Sequence, residues 1–320
     1  MAKIDLYDKK ILYELDINAR QSAQQIAKKV KLSKVAVINR INKLLKEGVI
    51  QNFITLINYR KLGFTNYHVY YSLQNLSSKK EEEFIEFLRE EREVRYILQI
   101  DSTWDLMLAL YTQSSERTDQ ILNKISNKFG DYIKEIKVFT IVTTFYPGRN
   151  YLIEKKPVPF TSPLIREASI REEVDEIDKK VLGGISKEAR ISLIDLEKKI
   201  KIKADVIRYH LKNLVKRGII QKFTLNLGHQ EYGNSFYKVL FKINPSLKEE
   251  VLMSELSQNE YAHRIHHFMG EKTIESDFEV PEYKEIREIL RKVKEKFGDK
   301  IIEIEILPIY TVQKIEYNPL

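Results

Sequence analysis

Apolar residues recur every three or four positions across residues 8–45 and then switch to strict alternation, a change from helical to strand periodicity. Ile11, Leu12 and Leu15 mark a first amphipathic helix over residues 8–16. Ser22 is placed to cap a second helix whose stripe is Ile26, Ala27 and Val30. Ser33 is placed to cap a third, with Val37, Ile41, Leu44 and Leu45 inward and Gly48 closing it. Residues 49–56 alternate as a strand. Three short helices and a strand predict a winged helix-turn-helix. The pattern then predicts strands over 66–74, 94–100, 104–112 and 132–145 and helices over 79–91 and 114–129. The order βαββαβ specifies a ferredoxin-like sheet with both helices on one face. Its other face carries Tyr, Phe, Trp and Ile and needs a partner.

The whole pattern occurs twice. Residues 8–53 lie over residues 178–223 without a gap at an offset of 170, and KFGD at 128–131 meets KFGD at 296–299 at an offset of 168. The second copy repeats the strands at 235–243, 261–268, 272–280 and 300–312 and the helices at 246–256 and 281–297. The expected fold class is therefore α+β, two winged helix-turn-helix domains alternating with two βαββαβ domains. The expected boundaries are 1–60, 61–146, 175–230 and 231–320, with a Pro-rich linker over 147–174. An uncovered sheet in each copy, joined by that linker, suggests that the two sheets pack together as an internal pseudo-dimer.

Charge then separates the modules. Residues 1–53 hold 11 basic against 5 acidic side chains and residues 178–223 hold 13 against 5, so these two pieces are +14 together and the remainder is −6 within a total of +8. Basic charge concentrated in two small modules suits a polyanion, since neutralised phosphates release counterions. On the third helix the 3.6-residue period turns Lys34, Ala36, Asn39, Arg40 and Lys43 outward: a guanidinium suited to guanine or phosphate, an amide suited to adenine, and a small residue for close approach. Lys28, Lys29 and Lys31 are placed to hold the backbone. The second copy presents Lys203, Asp205, Tyr209, His210 and Lys212, with Lys198 and Lys199 before them. Tyr209 stands for Asn39 and His210 for Arg40, so the two readers should differ. Lys203 stands for Ser33, which predicts that capping passes to Asp205 and the helix starts later.

Zero cysteines exclude disulfides and thiolate chemistry. His263 and His267 are expected on one strand face and His266 on the other, too few together for a metal. No P-loop, nucleophile elbow or paired-glycine fingerprint is present, and no apolar run reaches membrane-span length. The expectation is a cytoplasmic, nucleoid-associated protein with no cofactor and no enzymatic activity.

Four motifs carry a family resemblance: D-x-x-D-x-x-I-L from Asp5, A-R-x-S from Ala19, S-x-x-A-V-x-x-R-I-x-x-L from Ser33, and E-G-V-I from Glu47. Together they resemble the Lrp/AsnC (feast/famine) transcription regulators, here two members in tandem. The resemblance implies a winged helix joined to a βαββαβ effector domain of RAM type, sheets that self-associate, and double-stranded DNA as partner. By position it implies that Ser33, Lys34, Ala36, Asn39 and Arg40 face the groove, with correspondents at Lys203, Asp205, Tyr209 and His210. The family's Gly-x-x-Asp effector motif appears as Ser102 to Asp105 with the glycine lost and as Gly270 to Thr273 with the acid lost, so an amino-acid effector is only weakly implied. Two rivals remain: an enzyme similar to the sirohaem decarboxylases, which resemble Lrp/AsnC proteins built from two related subunits, and a chromatin-like protein that coats DNA with little specificity.

Overall fold

The computed structural model describes residues 3–153 and 171–320. The first module contains α1 (Leu6–Ile17), α2 (Ala23–Val30) and α3 (Lys34–Lys46), followed by β1 (Ile50–Ile57). Asp5 and Ser22 form capping boxes with Asp8 and Gln25, and the Ser33 hydroxyl accepts from the Ala36 amide. The second module repeats this with α6 (Glu176–Ile185), α7 (Leu193–Ile200), α8 (Ala204–Lys216) and β6 (Ile220–Leu227). In both, the turn between the second and third helices passes through a left-handed lysine, Lys31 and Lys201, each at φ 58°. Leu45, expected inward, lies on the outer side of α3 at 38% exposure.

β1 and β6 pair antiparallel in a two-stranded sheet of their own, Ile54 opposite Thr224. Each module also reaches across to the other's strand. The Ala19 amide donates to the Phe223 carbonyl at 2.9 Å, and the equivalent Ala189 amide donates to Phe53 at 2.8 Å. Arg20 donates to the Ala189 carbonyl and Arg190 to the Ala19 carbonyl, each guanidinium lying over the other copy's phenylalanine. The repeated Ala-Arg dipeptide is thus a reciprocal latch between the modules.

The βαββαβ domains contain β2 (Thr65–Leu73), α4 (Ser78–Glu90), β3 (Val94–Ile100), β4 (Leu106–Thr112), α5 (Ser115–Phe129) and β5 (Ile133–Phe145) in the first copy. The second begins after a short helix, α9 (His229–Tyr232), and contains β7 (Ser235–Ile243), α10 (Glu249–Ser257), β8 (Ala262–Phe268), β9 (Thr273–Val280), α11 (Tyr283–Phe297) and β10 (Ile301–Ile315). The two sheets join at both edges, β5 to β8 and β10 to β3, and close an eight-stranded barrel. Closure removes every exposed edge and makes the uncovered sheet faces the barrel interior. The internal pseudo-dimer is therefore one barrel with helices outside.

Copy one lines the interior with Tyr70, Tyr96, Trp104, Tyr111 and Phe139, as its aromatic pattern indicates. Copy two adds Leu240, Phe268 and Leu307 to this cluster and, beside them, the charged and polar set Lys238, Arg264, His266, Glu275 and Asp277. Lys238 Nζ lies 2.6 Å from Glu275 and 2.7 Å from Asp277, and His68 and Tyr70 also bond Glu275. Charges taken from water persist only when paired and hydrogen-bonded in this way. A bulge between Ala262 and Arg264 breaks the alternation expected for the histidines. His263 meets Arg149, His266 bonds Thr144, and His267 faces Glu249.

The expected linker over 147–174 lies largely outside the described residues, but residues 147–153 are not an extended connector. They form a strap whose turn, Asn150–Leu152, is buried against α1. Arg149 lies beneath it, bonded to Glu279 of β9 at 2.8 and 3.0 Å and to Asp16 of α1 at 2.7 Å. Burial opposes the guanidinium's charge, but Glu279 and Asp16 more than offset this and raise its pKa. Burial opposes both carboxylates too, but Lys222 with Arg149 holds Asp16, and Arg149 holds Glu279, well below the usual carboxylate range.

Candidate nucleic-acid interface

Lys34, Asn39 and Lys43 are exposed on α3, and Lys28 and Lys29 are exposed at the end of α2. Ala36 is half-buried, and Ser33, though exposed, is engaged as the cap. Lys29 is drawn towards Glu14 at 2.6 Å, while Lys43 lies 3.9 Å from Glu47. Arg40 departs from expectation. Its Nη1 lies 2.7 Å from the buried Asp8 and 2.8 Å from Asp5, and its guanidinium is held over Tyr7. It joins the recognition helix to α1, which does not fit the expected base reader. Periodicity showed its helical position but not where so long a side chain turns.

His210 repeats this geometry at the same place in the second module, its Nδ1 lying 2.7 Å from Asp178. It too is a bridge to the first helix of its module. Tyr209 is 64% exposed, and Lys203, Asp205 and Lys212 are exposed beside it. The expected cap at Asp205 is corrected: α8 starts at Ala204, and the Ala204 amide donates to Glu197 of α7 at 3.0 Å. Asp205 instead pairs with Arg208 at 2.6 Å. A carboxylate thus occupies the helix N-terminus, where a phosphate would otherwise be favoured. Lys198 and Lys199 are exposed and paired with Asp195 and Glu188.

Two side chains absent from the expected set stand out on α3, Val35 at 65% and Ile38 at 39% exposure. An apolar residue on an otherwise basic outer face is the sequence signal that could have found them, because thymine methyl groups are read by apolar contact.

The expected effector residues do not gather at one place. The Ser102 hydroxyl donates to the Ile306 carbonyl of β10, and Asp105 accepts from the Leu73 amide at 2.6 Å. Gly270 lies in an exposed turn at φ 76°, and Thr273 is buried in the ladder opposite Lys242. As for metals, His68, His266 and Glu275 present donor atoms within 4.8 Å of one another. Lys238 already balances Glu275 there, and a divalent ion would add charge to a neutral, buried network. Asp175, Asp178 and His210 also lie within that distance, but Asp175 caps α6 and His210 is paired.

A family model described as winged helix-turn-helix DNA-binding matches residues 4–51 and 174–221. The chain is similar to the proline dehydrogenase transcriptional activator of Rhizobium radiobacter, 33% identical over 128 residues, which cover 39% of this chain and 81% of that protein. It is also 31% identical over 101 residues to the HTH-type transcriptional regulator LrpA of Pyrococcus horikoshii, covering 29% and 72% of the two chains. The chain belongs to the Lrp/AsnC family. As a tandem member it is a DNA-binding transcription regulator with two winged helices. Among solved structures, the sirohaem decarboxylase NirDL matches with a TM-score of 0.64 at 13% identity, over 97% of this chain and 93% of that one. At that identity the likeness shows the fold, a two-repeat barrel carrying two winged helices. Among the described residues no helix is long and apolar enough to cross a membrane.

Proposed function

We propose that one chain grips duplex DNA as a preassembled pair of unlike winged helices, with α3 reading bases and α8 chiefly holding the backbone. The observation that carries this is the β1–β6 sheet with its Ala-Arg latches, which fixes both modules on one polypeptide. In α3, Lys34, Val35, Ile38 and Asn39 form the reading face, with Lys28, Lys29 and Lys43 on phosphates. In α8, Tyr209, Lys203 and Lys212 meet the DNA beside the acidic start made by Glu197 and Asp205. Unlike readers in a fixed relation favour an asymmetric operator, where a symmetric dimer favours a palindrome. The setting would be cytoplasmic and nucleoid-associated, with no catalytic role.

Selection of bound duplexes with the intact chain tests this. The expected result is one well-defined half-site and one weak one. Asn39→Ala should alter the strong half-site, and Tyr209→Ala should weaken binding with little change in sequence. Equal conservation of two mirrored half-sites would refute unlike readers, and no binding at low salt would refute the whole reading.

The near-complete match to a decarboxylase fold gives the enzymatic reading one supporting observation. The cavity inside the barrel lends it no support, because at about 30 Å³ it has room for roughly a water. Titration with a tetrapyrrole separates the two readings: a saturable shift of its Soret band would support the enzyme.

A further inference from the structure

A pocket of about 360 Å³ lies between the barrel, α6 and the last residues of the chain, within the range of small-molecule sites. Phe64 and Tyr111 line it together with Arg92, Arg95, Arg117 and Lys179 and a single acid, Glu93. Pseudo-symmetry makes it distinctive. An offset of 168 residues pairs Arg95 with His263, Tyr111 with Glu279 and Tyr151 with Pro319. There the chain fills its own space: Tyr151 is buried, stacks on Tyr261 and bonds Glu279, which Arg149 braces. In the pocket, a tyrosine replaces that carboxylate and a proline replaces the filling ring. One of two equivalent places is thus hollow and cationic.

The cations there are incompletely matched. Arg95, only 5% exposed, bonds Glu316 and the Pro319 carbonyl, but its buried Nε has no hydrogen-bond partner. Arg117 is paired with Glu93 and Lys179 with the exposed Glu176. Among the described residues the Arg92 side chain has no ion pair or hydrogen bond. Burial lowers the Arg95 pKa, Glu316 opposes that, and the neighbouring Arg92 charge adds to it. An incoming anion relieves both burdens.

We propose that this pocket binds a small organic anion, a carboxylate or phosphate ester on a flat apolar body. Arg92 and Arg117 hold the charge and Tyr111 and Phe64 hold the body. Lys179 belongs to the second winged helix, and Arg92 and Arg117 flank β3 and β4 of the first βαββαβ domain, so the pocket lies between the two. The proposal does not depend on which recognition helix reads DNA.

Calorimetric titration of the full chain with benzoate, with phenyl phosphate and with neutral benzyl alcohol tests it. One anion at least should bind saturably at one site per chain and the alcohol should not, and the difference between the two anions identifies the headgroup. Arg92→Gln with Arg117→Gln should weaken that binding about tenfold or more, as expected for loss of about 1.4 kcal/mol of charge-assisted bonding. If the double variant does not fold, Arg92→Gln alone, an exposed and unpaired residue, should still weaken it severalfold. Unchanged affinity in a folded variant, binding of the alcohol equal to that of the anions, or no saturable heat up to about 10 mM would overturn the proposal.

Discussion

Replacing Arg149 with methionine should be the most damaging single change in the strap. The substitution keeps the unbranched stem and removes the guanidinium, leaving Glu279 at 0% and Asp16 at 3% exposure to lose their shared partner. Asp16 keeps Lys222 at 3.2 Å and Thr224 at 3.0 Å, whereas Glu279 keeps the Tyr151 hydroxyl and no full cation. His263, its neighbour, is held neutral because burial lowers its pKa well below the usual value. Breaking a buried pair on one side costs roughly 3–5 kcal/mol. With an unfolding entropy of about 2.1 cal/mol/K per residue, that is a fall of roughly 4–7 °C for one cooperative unit of this length. The pH profile carries the sharper test. In the native chain both carboxyls have depressed values, so their stabilisation is present above the unfolded carboxyl pKa of about 4 and is lost as pH falls through the folded values. In the variant the Glu279 value rises above its unfolded one, so stability falls as pH rises through it. Denaturant melts from about pH 5 to pH 8 should therefore give a profile that tilts downward relative to the native protein. A loss below about 1 kcal/mol, or parallel profiles, would refute the reasoning.

Three other outcomes follow from the same geometry. Arg40→Met should destabilise the first module by roughly 1–3 kcal/mol by removing the nearest cation from the buried Asp8, which keeps the Asp5 amide and Lys43 at 4.0 Å, seen in chemical melts, and should lower affinity for all duplexes alike; a selective change at one base position would make it a reader after all. Glu197→Ala should fray the start of α8 at a cost of about 0.5–2 kcal/mol, measured as faster hydrogen exchange at the Ala204 amide, and should tighten non-specific DNA binding; unchanged exchange would show the cap to be idle. Lys238→Met should cost roughly 3–5 kcal/mol at neutral pH by leaving Glu275 and Asp277 without their ammonium, with partial recovery in acid as Asp277, whose value burial already raises, takes up a proton; no recovery in acid would count against the charge-balance account.

Most elements were legible because their periods are clean. The strands over 94–100 and 235–243 and the caps at Ser22 and Ser33 appear where alternation and capping chemistry place them. Local pattern failed where the deciding partner is distant in sequence. Nothing local to Lys238, Glu275 and Asp277 marks them as interior, and their partners His68 and Tyr70 lie some 200 residues from Glu275. Arg149 sits among prolines and glycine, which signal a connector, yet Asp16 and Glu279 lie more than 120 residues from it on either side. The pairing of Arg40 and His210 was hidden for a different reason. A period fixes the direction in which a side chain leaves its helix, and nothing in it shows that a long one folds back on a buried acid.

The barrel has two closing seams, and they are chemically unlike. One sets Thr143 and Thr144 against His267 and His266, and the other sets Val312 and Lys314 against Leu98 and Ile97. In a protein assembled from identical halves, any change at one seam is made at both and has to suit its own reflection. Tethering lifts that constraint, so each junction is free to specialise, and a half released from its sibling would no longer find a matching mate in its own duplicate.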